Sequence, residues 1–260
     1  MSHVFNINFE DMPDYSLQHR LHNHIQGCVH TGDGLVLARN GVEKGQLIFT
    51  RENRFVDARL VPQQHVGGMD SNHPYLIAPT YNHNEAGGYL HIYNLSDLSA
   101  LTKSHQCPHR CYAVGMTMIG EVGRYLVAVV TRANGSRIQW YQWHSKRGKD
   151  GLMDPVGTSH FSPREGPRNN IFLENSERDG CKLFTFRAHF GHGVVTRYNV
   201  DTKHNMALTR EATYTRRNGL CSARFGATLL IDGRWLRTAR NVFSDRLRYR
   251  IDEISWKDCT

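Results

Sequence analysis

The sequence predicts an all-β fold, in the form of a single five-bladed β-propeller domain over residues 1–260. Three observations lead to this prediction. Short runs of β-branched and aromatic residues recur along the chain, with Gly, Asn and Asp turns between them. No long window has the apolar period of a helix. A short motif also recurs at the spacing of a propeller blade, which is about 40 to 55 residues.

The strand-like runs are short and are separated by turn signals. The clearest are residues 35–39, 46–50, 75–80, 88–94, 125–131 and 137–143. Turn dipeptides such as Asp33-Gly34 and Asn134-Gly135 lie between them, as in β-hairpins. Residues 145–166 are polar and contain Gly and Pro, which predicts a long loop.

A repeated motif divides the chain into five units. Residues 23–27 read Asn-His-Ile-Gln-Gly, and residues 64–68 read Gln-His-Val-Gly-Gly. Weaker copies begin at His109, Pro167 and Leu220. Each copy precedes an apolar strand, so each unit has the dimensions of one small sheet in a ring. An irregular β-sandwich is the main alternative fold.

The last unit and the amino terminus complement each other. The last unit contains about three strands, at residues 223–230, 235–239 and 247–251, while residues 4–9 form a strand outside any unit. Unpaired strand edges favour further pairing. We therefore predict that the amino-terminal strand completes the last blade.

Composition narrows the class of protein. The net charge is +8, but the arginines are spread along the chain, so nucleic-acid binding is disfavoured. No apolar run has the length of a membrane span, and the first residues lack the pattern of a signal peptide, so we expect a soluble, cytoplasmic protein with no membrane partner. The six cysteines are scattered, which favours reduced thiols over a disulfide framework.

The starts of the repeats predict a candidate pocket. The first strand of each propeller blade lines the central channel, so polar residues at these starts would meet at its mouth. The predicted catalytic residues are His24, His65, His109 and Tyr112. The predicted substrate-binding residues are Gln26, Gln64, Arg168, Asn169, Asn170, Ser222 and Arg224.

The three histidines allow three interpretations. His24, His65 and His109 are suited to general acid–base catalysis, and equally to binding a divalent metal as cofactor. They are also suited to hydrogen bonds between neighbouring blades, which would only hold the ring together. Tyr112 is either a proton donor or a packing residue.

Two arginines suggest the charge of the ligand. Arg168 and Arg224 have forked donors that fit a carboxylate or phosphate group. Ion pairs with Glu165 or Glu174 are the alternative role for these arginines.

Several familiar sites are disfavoured. His105, Cys107, His109 and Cys111 resemble a zinc motif, but residues two apart on a strand lie about 6.6 Å apart, which suits a single ion poorly. Only Asp70 and Glu174 supply acids near the strand starts, which disfavours a glycosidase with a carboxylate pair. The chain also lacks the nucleophile elbow, the Walker loop and the dinucleotide fingerprint.

The repeats resemble those of a group of bacterial β-propeller-like proteins, mostly of unassigned function. Those repeats open with an Asn-His or His-x-Gly-Gly pattern before an apolar strand. The matching stretches are residues 23–27, 65–69 with 89–97, 169–173 with 183–187, and 223–231, and the third unit departs from the pattern. The resemblance implies a propeller fold and supplies no activity.

Two functional hypotheses follow from the sequence. The first is an enzyme or enzyme-like binder that holds a small polar, anionic molecule in the central channel. Lyase, cyclase or isomerase chemistry suits its His, Tyr and Arg residues best. The second is a non-catalytic propeller, either lectin-like or a protein-interaction module. The four tryptophans, Trp140, Trp143, Trp235 and Trp256, lie in only two regions, which favours one central site over repeated sugar pockets.

Overall fold

The structure is a computed structural model. It describes residues 7–8, 25–31, 34–41, 43–51, 54–133, 135–146, 153–162, 165–167, 170–189, 192–217, 227–231, 235–242 and 248–255. These residues form strands and their connections, with one short 3₁₀ turn at residues 145–146. The prediction of an all-β chain is confirmed. None of the described residues belongs to a helix with the length and hydrophobicity of a membrane span.

The described strands form five antiparallel sheets, and four of these have four strands. The first strand in the chain, β1 (Ile7–Asn8), belongs to sheet 5. Sheet 1 contains β2 (Ile25–His30), β3 (Gly34–Arg39), β4 (Gly45–Arg51) and β5 (Arg54–Val61). Sheet 2 contains β6 (His65–Val66), β7 (Asp70–Asn72), β8 (Tyr75–Tyr81), β9 (Gly88–Asn94) and β10 (Asp97–Cys107).

The other three sheets follow along the chain. Sheet 3 contains β11 (Ala113–Met118), β12 (Arg124–Val130), β13 (Arg137–His144) and β14 (Met153–His160). Sheet 4 contains β15 (Asn170–Ser176), β16 (Gly180–His189), β17 (His192–Asp201) and β18 (Ala207–Arg217). Sheet 5 contains β19 (Ala227–Ile231), β20 (Trp235–Val242) and β21 (Arg248–Ser255), with β1 paired to β21.

Strand β12 shows how the sequence produces these sheets. Its residues from Tyr125 to Val130 are all buried, as expected of a short, continuous apolar run. Tyr125, Val127 and Val129 pack in a core between sheets 2 and 3. Leu126, Ala128 and Val130 pack in a core between sheets 3 and 4. A third core lies between sheets 1 and 2, so these sheets pack face to face on their neighbours.

The first strand of each sheet lies beside the first strands of two other sheets. The contacts join β2 to β7, β7 to β11, β11 to β15, β15 to β19, and β19 to β2. In sheet 2, β6 and β7 together act as this first strand, because both pair with β8.

The glycines of the repeated motif bring the first strands close together. A Cβ atom on Gly67 would lie 2.0 Å from the carbonyl oxygen of Tyr112, so only glycine fits there. The adjacent Gly68 donates its N–H to the same oxygen at 3.0 Å and accepts from the Val114 N–H at 2.8 Å. The motif therefore joins sheets 2 and 3 directly.

Most of the predicted strands are confirmed within two residues at their ends, but the loop predicted at residues 145–166 is wrong. Strand β14 lies inside it and pairs with β13, with a bulge after Trp140. Pro155 and Gly157 suggested a loop, but β14 is an edge strand, where proline is tolerated because its missing N–H is not needed. At the amino terminus, β1 pairs with β21, as predicted for the strand that completes the last sheet.

Candidate functional site

The first strand of sheet 2 has polar side chains at both ends. His65 is at its start, and Asp70 and Asn72 lie in its last part. Part of the set of residues predicted from the sequence lies at the starting end. The far end opens on a cavity.

At the starting end, His65 bonds to a neighbouring sheet. Asn40, which follows β3 of sheet 1, accepts a hydrogen bond from the Val66 N–H through Oδ1 at 2.9 Å. Its Nδ2 therefore faces His65 and donates to Nε2 at 3.0 Å. Because this bond uses the Nε2 lone pair, that nitrogen cannot bind a metal or accept a proton while the bond is intact.

Aromatic and cationic side chains surround His65 in what we call the His65 cluster: His65, Tyr81, His83, Arg110 and Tyr112. The His65 ring stacks on Tyr81 at 4.4 Å, and the Tyr112 ring lies 5.0 Å from Tyr81. The Arg110 guanidinium lies 5.7 Å from the centre of the Tyr81 ring and donates to the backbone oxygen of His83. Burial raises the pKa of Tyr81, so its hydroxyl stays protonated at neutral pH.

A second set of polar groups is buried beside this cluster. The side-chain oxygen of Gln63 accepts hydrogen bonds from Thr80 at 3.0 Å and from His91 Nε2 at 2.8 Å. Burial lowers the pKa of His91 to about 4, so this histidine is neutral at neutral pH. The polar groups at this end thus bind one another.

The structure separates the described candidate residues. Gln64, His65 and Tyr112 are neighbours of the loop that follows Tyr81, since Gln64 bonds to the backbone of His83. His109 is apart from them, and its Nε2 lies 3.1 Å from Arg137 Nη1, which donates to it. Its lone pair is therefore used as well.

The remaining predicted residues divide into described and undescribed positions. Gln26 is half-buried in β2, and Asn170 is fully buried at the start of β15. His24, Arg168, Asn169, Ser222 and Arg224 lie outside the described residues. Within the described part of the chain, no group of three or more His, Cys, Asp or Glu side chains is arranged to hold a metal ion. The zinc-like motif of His105, Cys107, His109 and Cys111 lies in the described part of the chain and does not form such a group.

At the far end, a cavity of about 750 Å³ opens beside sheets 2, 3 and 4. We call it the Asp70 cavity. Its described wall contains Asp70, Ser71, Asn72, Thr117, Phe172, Leu173, Glu174, Asn175, Ser176, Asp179, Gly180, Lys182, Phe184, Arg197 and Glu211. A cavity of this size suits a small-molecule ligand.

Asp70 is a buried carboxyl group in this wall, with 6% of its surface exposed. Its Oδ2 accepts from the Met116 N–H at 2.8 Å and from the Leu173 N–H at 3.5 Å, and its Oδ1 accepts from the Ser71 N–H at 2.8 Å. These bonds favour the charged form, but burial outweighs them and raises the pKa of Asp70 to about 7. Asp70 therefore joins three first strands and changes protonation state near neutral pH.

Three charged residues on adjacent strands of sheet 4 line the same cavity. Lys182 Nζ lies 2.5 Å from Glu211 Oε1, and Arg197 Nε lies 2.9 Å from Glu211 Oε2. The hydrogen bond from Lys182 is the main cause that lowers the pKa of Glu211. Two cations thus share one carboxylate, and Lys182 bonds to Asn199 as well.

The charged groups of the described wall do not favour the anionic ligand that the sequence led us to expect. The carboxyl groups are those of Asp70, Glu174, Asp179 and Glu211, and the cations are Lys182 and Arg197. Even with Asp70 protonated, carboxylates outnumber cations. A neutral polar molecule therefore suits this wall better than a strongly anionic one.

The sequence analysis considered Asp70 only as one of too few acids for a glycosidase, and it considered Glu174 in that way and as an ion-pair partner for an arginine. It missed Lys182, Arg197 and Glu211. A usable signal for Asp70 was its place in the first strand, two residues after the paired glycines Gly67 and Gly68. The sequence also contained a signal for Lys182. Lys182, Phe184 and Phe186 stand at alternate positions, which predicts that their side chains lie on the same face of a strand.

Two of the tryptophan side chains cannot stack on a bound sugar. Trp140 and Trp143 are 0% and 1% exposed, so neither presents a ring to solvent. Trp140 also donates to Ser159 at 2.8 Å inside the core. The side chains of Trp235 and Trp256 lie outside the described part of the structure.

No protein-family model matches the sequence, and no curated protein matches it significantly. Among solved structures, the chain is similar to the GH43 endo-arabinanase from Bacillus licheniformis, with 10% identity and a TM-score of 0.54; the match covers 88% of this chain and 92% of the other. It is also similar to the glutaminyl cyclase from Myxococcus xanthus, with 12% identity and a TM-score of 0.51, covering 90% and 93% of the two chains.

Both similar structures are β-propeller proteins, and at such low identity the likeness concerns the fold alone. The chain therefore has a β-propeller fold built from antiparallel sheets. Its resemblance to a bacterial group of unassigned function stays a prediction.

Proposed function

We propose that the protein is an enzyme that binds a small, polar and nearly neutral molecule in the Asp70 cavity and uses Asp70 to transfer a proton. The observation that carries this proposal is a buried carboxyl group in the wall of a ligand-sized cavity. The neighbouring Lys182, Arg197 and Glu211 supply donors and acceptors that would orient the molecule.

Asp70 is suited to general acid–base work. A group whose pKa is about 7 is present in both protonation states at neutral pH, so it can donate a proton in one step and accept one in another. The N–H groups of Met116 and Leu173 hold its Oδ2 in place. Glu174 is close enough that its charge raises the pKa of Asp70 further.

This chemistry agrees with the class predicted from the sequence, but at a different place. Lyase, cyclase and isomerase reactions need one group that transfers a proton close to neutral pH. In the proposal, Asp70 takes the role that the sequence interpretation gave to the histidines. The catalytic and metal-binding roles of His24, His65 and His109 and the proton-donor role of Tyr112 stay predictions. The bonds of His65 and His109 favour roles that fix the fold.

We also propose that the five sheets are the blades of one five-bladed propeller that forms a single domain over residues 1–260. The cyclic contacts of the first strands, from β2 through β7, β11, β15 and β19 back to β2, support this arrangement. The pairing of β1 with β21 joins the two ends of the chain in one sheet. In this arrangement the Asp70 cavity lies at one mouth of the central channel.

Ligand binding and turnover test the proposed function. We would measure the thermal shift of the purified chain with neutral sugars, amino acids and sugar acids, including an arabinan oligosaccharide and a glutaminyl peptide. Mass spectrometry would then detect conversion of every molecule that binds. Each hit is repeated on Asp70→Asn and on the control Asp201→Asn, a surface carboxylate paired with His204.

We expect neutral polar compounds to bind the wild type and the Asp201→Asn control alike, and conversion to fall at least 100-fold in Asp70→Asn. Equal conversion by both variants would contradict the role of Asp70. Failure of every compound to bind would contradict the cavity as a ligand site.

A further inference from the structure

One face of sheet 4 brings apolar and charged side chains together in the wall of the Asp70 cavity. Across β15 and β16, Phe172 lies opposite Phe184, and Glu174 lies opposite Lys182. Across β16 and β17, Phe184 lies opposite Arg197. Directly paired residues, and residues two apart on a strand, share a face of the sheet. The wall therefore offers two buried aromatic rings to the carbon skeleton of a ligand and charged groups to its polar ends.

The two cations of this wall differ in how far their donors are used. Lys182 Nζ donates to both Glu211 and Asn199. Arg197 meets Glu211 through Nε at 2.9 Å, and no other described residue bonds to its terminal nitrogens, Nη1 and Nη2. These two nitrogens form a planar fork that fits a carboxylate, and 40% of the side chain is exposed. Arg197 can therefore bind a carboxylate of the ligand while it stays paired with Glu211.

A carboxylate alone would be a poor ligand, because the described wall already has an excess of negative charge. Even with Asp70 protonated, the carboxylates of Glu174, Asp179 and Glu211 outnumber the two cations. Asp179 lies in the exposed turn between β15 and β16, where its backbone N–H donates to Ser176 Oγ at 3.0 Å. No described side chain pairs with its carboxylate. A positive group on the ligand would balance this charge.

We propose that the molecule bound in the Asp70 cavity is a zwitterion of the amino-acid class, whose carboxylate binds Arg197 and whose ammonium group faces Asp179. This inference rests on the proposed function, because it names the class of ligand for the same cavity. A zwitterion has no net charge, so it agrees with the nearly neutral molecule proposed above. In this arrangement Arg197 and Asp179 are binding residues that determine specificity, and Asp70 keeps the proton-transfer role.

Isothermal titration calorimetry with matched ligands tests the class of molecule. The panel contains α-amino acids and ω-amino acids of increasing chain length, each with its carboxamide and its N-acetyl derivative. The carboxamide keeps the ammonium group without the carboxylate, and the N-acetyl derivative keeps the carboxylate without the ammonium group. Neutral sugars and polyols complete the panel. We expect zwitterions to bind the wild type about 10-fold more tightly than either of their derivatives.

The variant Arg197→Gln tests the carboxylate site. It should weaken binding of a zwitterion by about 10-fold and leave binding of the corresponding carboxamide unchanged, because only the zwitterion has a carboxylate for Arg197 to bind. A residue that only maintained the fold would weaken both ligands alike. Arg210→Gln is the matched control, since Arg210 is an exposed arginine of β18 that pairs with Glu165 and lies outside the described wall. It should bind both ligands as the wild type does.

The variant Asp179→Asn tests the ammonium site. Because Asp179 is exposed, we expect only about a threefold loss of affinity for the zwitterion, with no loss for its N-acetyl derivative. Glu177→Gln is the control, because Glu177 belongs to the same turn but not to the described wall. It should leave both affinities unchanged.

The outcomes separate this inference from the proposed function. If neutral sugars or polyols bind and zwitterions bind no better than their derivatives, the zwitterion class is overturned while the cavity remains a ligand site. Equal weakening of a zwitterion and its carboxamide by Arg197→Gln would overturn the role of Arg197. If no member of the panel binds, both the inference and the proposed function fail. The order of affinities is measured on the wild-type chain, so it does not depend on the folding of a variant.

Discussion

His65 and Asp70 belong to one first strand, yet their surroundings differ. His65 stacks on Tyr81 and accepts a hydrogen bond from Asn40 of the next sheet. Asp70 accepts backbone hydrogen bonds from two other first strands and lines a cavity of about 750 Å³. At the starting end, polar side chains form hydrogen bonds with one another and connect neighbouring sheets. At the far end, they leave room for another molecule.

This difference shows that a cluster of histidines does not by itself identify a site. The histidine-rich starting end attracts attention in the sequence, but the lone pairs at Nε2 of His65 and His109 are already used. A single carboxyl group that the sequence analysis did not assign to a site has the raised pKa expected of a proton-transferring residue.

The largest expected effect is a pH dependence of stability due to Asp70. The unfolded group ionises near its ordinary pKa of 3.8, whereas the folded group stays protonated until about 7. Its contribution to stability is therefore complete below pH 4, falls as the pH rises to 7, and is constant above. The loss is roughly 4 kcal/mol in the free energy of unfolding.

Urea unfolding of the wild type and Asp70→Asn at a series of pH values isolates this contribution. Other carboxyls, such as Glu211, have a lowered pKa and act in the opposite direction, so the difference between the two proteins is the quantity to follow. A difference that does not change between pH 4 and pH 7 would refute the assignment.

The second test removes the His65 ring. His65→Ala takes a buried ring from Tyr81 and leaves the Asn40 amide without its acceptor, so we expect a loss of about 2 to 4 kcal/mol in the free energy of unfolding. His83→Ala is the control, because His83 contacts the same rings from an exposed position, and it should cost less than about 1 kcal/mol. Similar values for the two variants would remove the structural role given to His65.

The third test asks whether the starting end really joins two sheets. Asn40→Ala, His65→Ala and the double variant form a cycle, from which we expect a coupling energy of about 1 kcal/mol. Additive effects, with a coupling near zero, would mean that the bond between Asn40 and His65 adds nothing to stability.

The smallest expected effect concerns the cavity wall. Glu211→Gln weakens the pairs with Lys182 and Arg197, but these side chains are partly exposed, so the stability loss should stay below about 1 kcal/mol. Glu165→Gln is the matched control, since Glu165 makes an exposed pair with Arg210 at 3.6 Å, and it should change stability by less than about 0.5 kcal/mol. A large loss in Glu211→Gln would show that this group stabilises the sheet rather than serving a ligand.

The sequence was informative wherever local patterns decide the structure. The continuous apolar run in β12 is visible because both faces of the strand are buried. The paired glycines are visible because close backbone contact excludes side chains. Strand β14 was missed because Pro155 and Gly157 are tolerated only through its edge position, which is a property of the assembled sheet.

The Asp70 site could not be predicted in the same way. Its donors, the N–H groups of Met116 and Leu173, lie 46 and 103 residues away along the chain. The burial that raises its pKa also comes from packing between sheets. Likewise, Lys182, Arg197 and Glu211 meet only through the register of three strands. These features depend on contacts between segments that are far apart in the sequence, and the local periodicity of the sequence does not reveal such contacts.

The most direct test of the contrast between the two ends is the titration of Asp70 itself. Carboxyl ¹³C NMR of the folded chain, with Asp70→Asn to assign the signal, gives the pKa of this one group. We predict a midpoint near 7, displaced when a ligand binds in the Asp70 cavity. A midpoint near the ordinary pKa of 3.8 would mean that Asp70 is ionised at neutral pH and only connects the first strands through hydrogen bonds. The proposed site would then have no proton-transfer group.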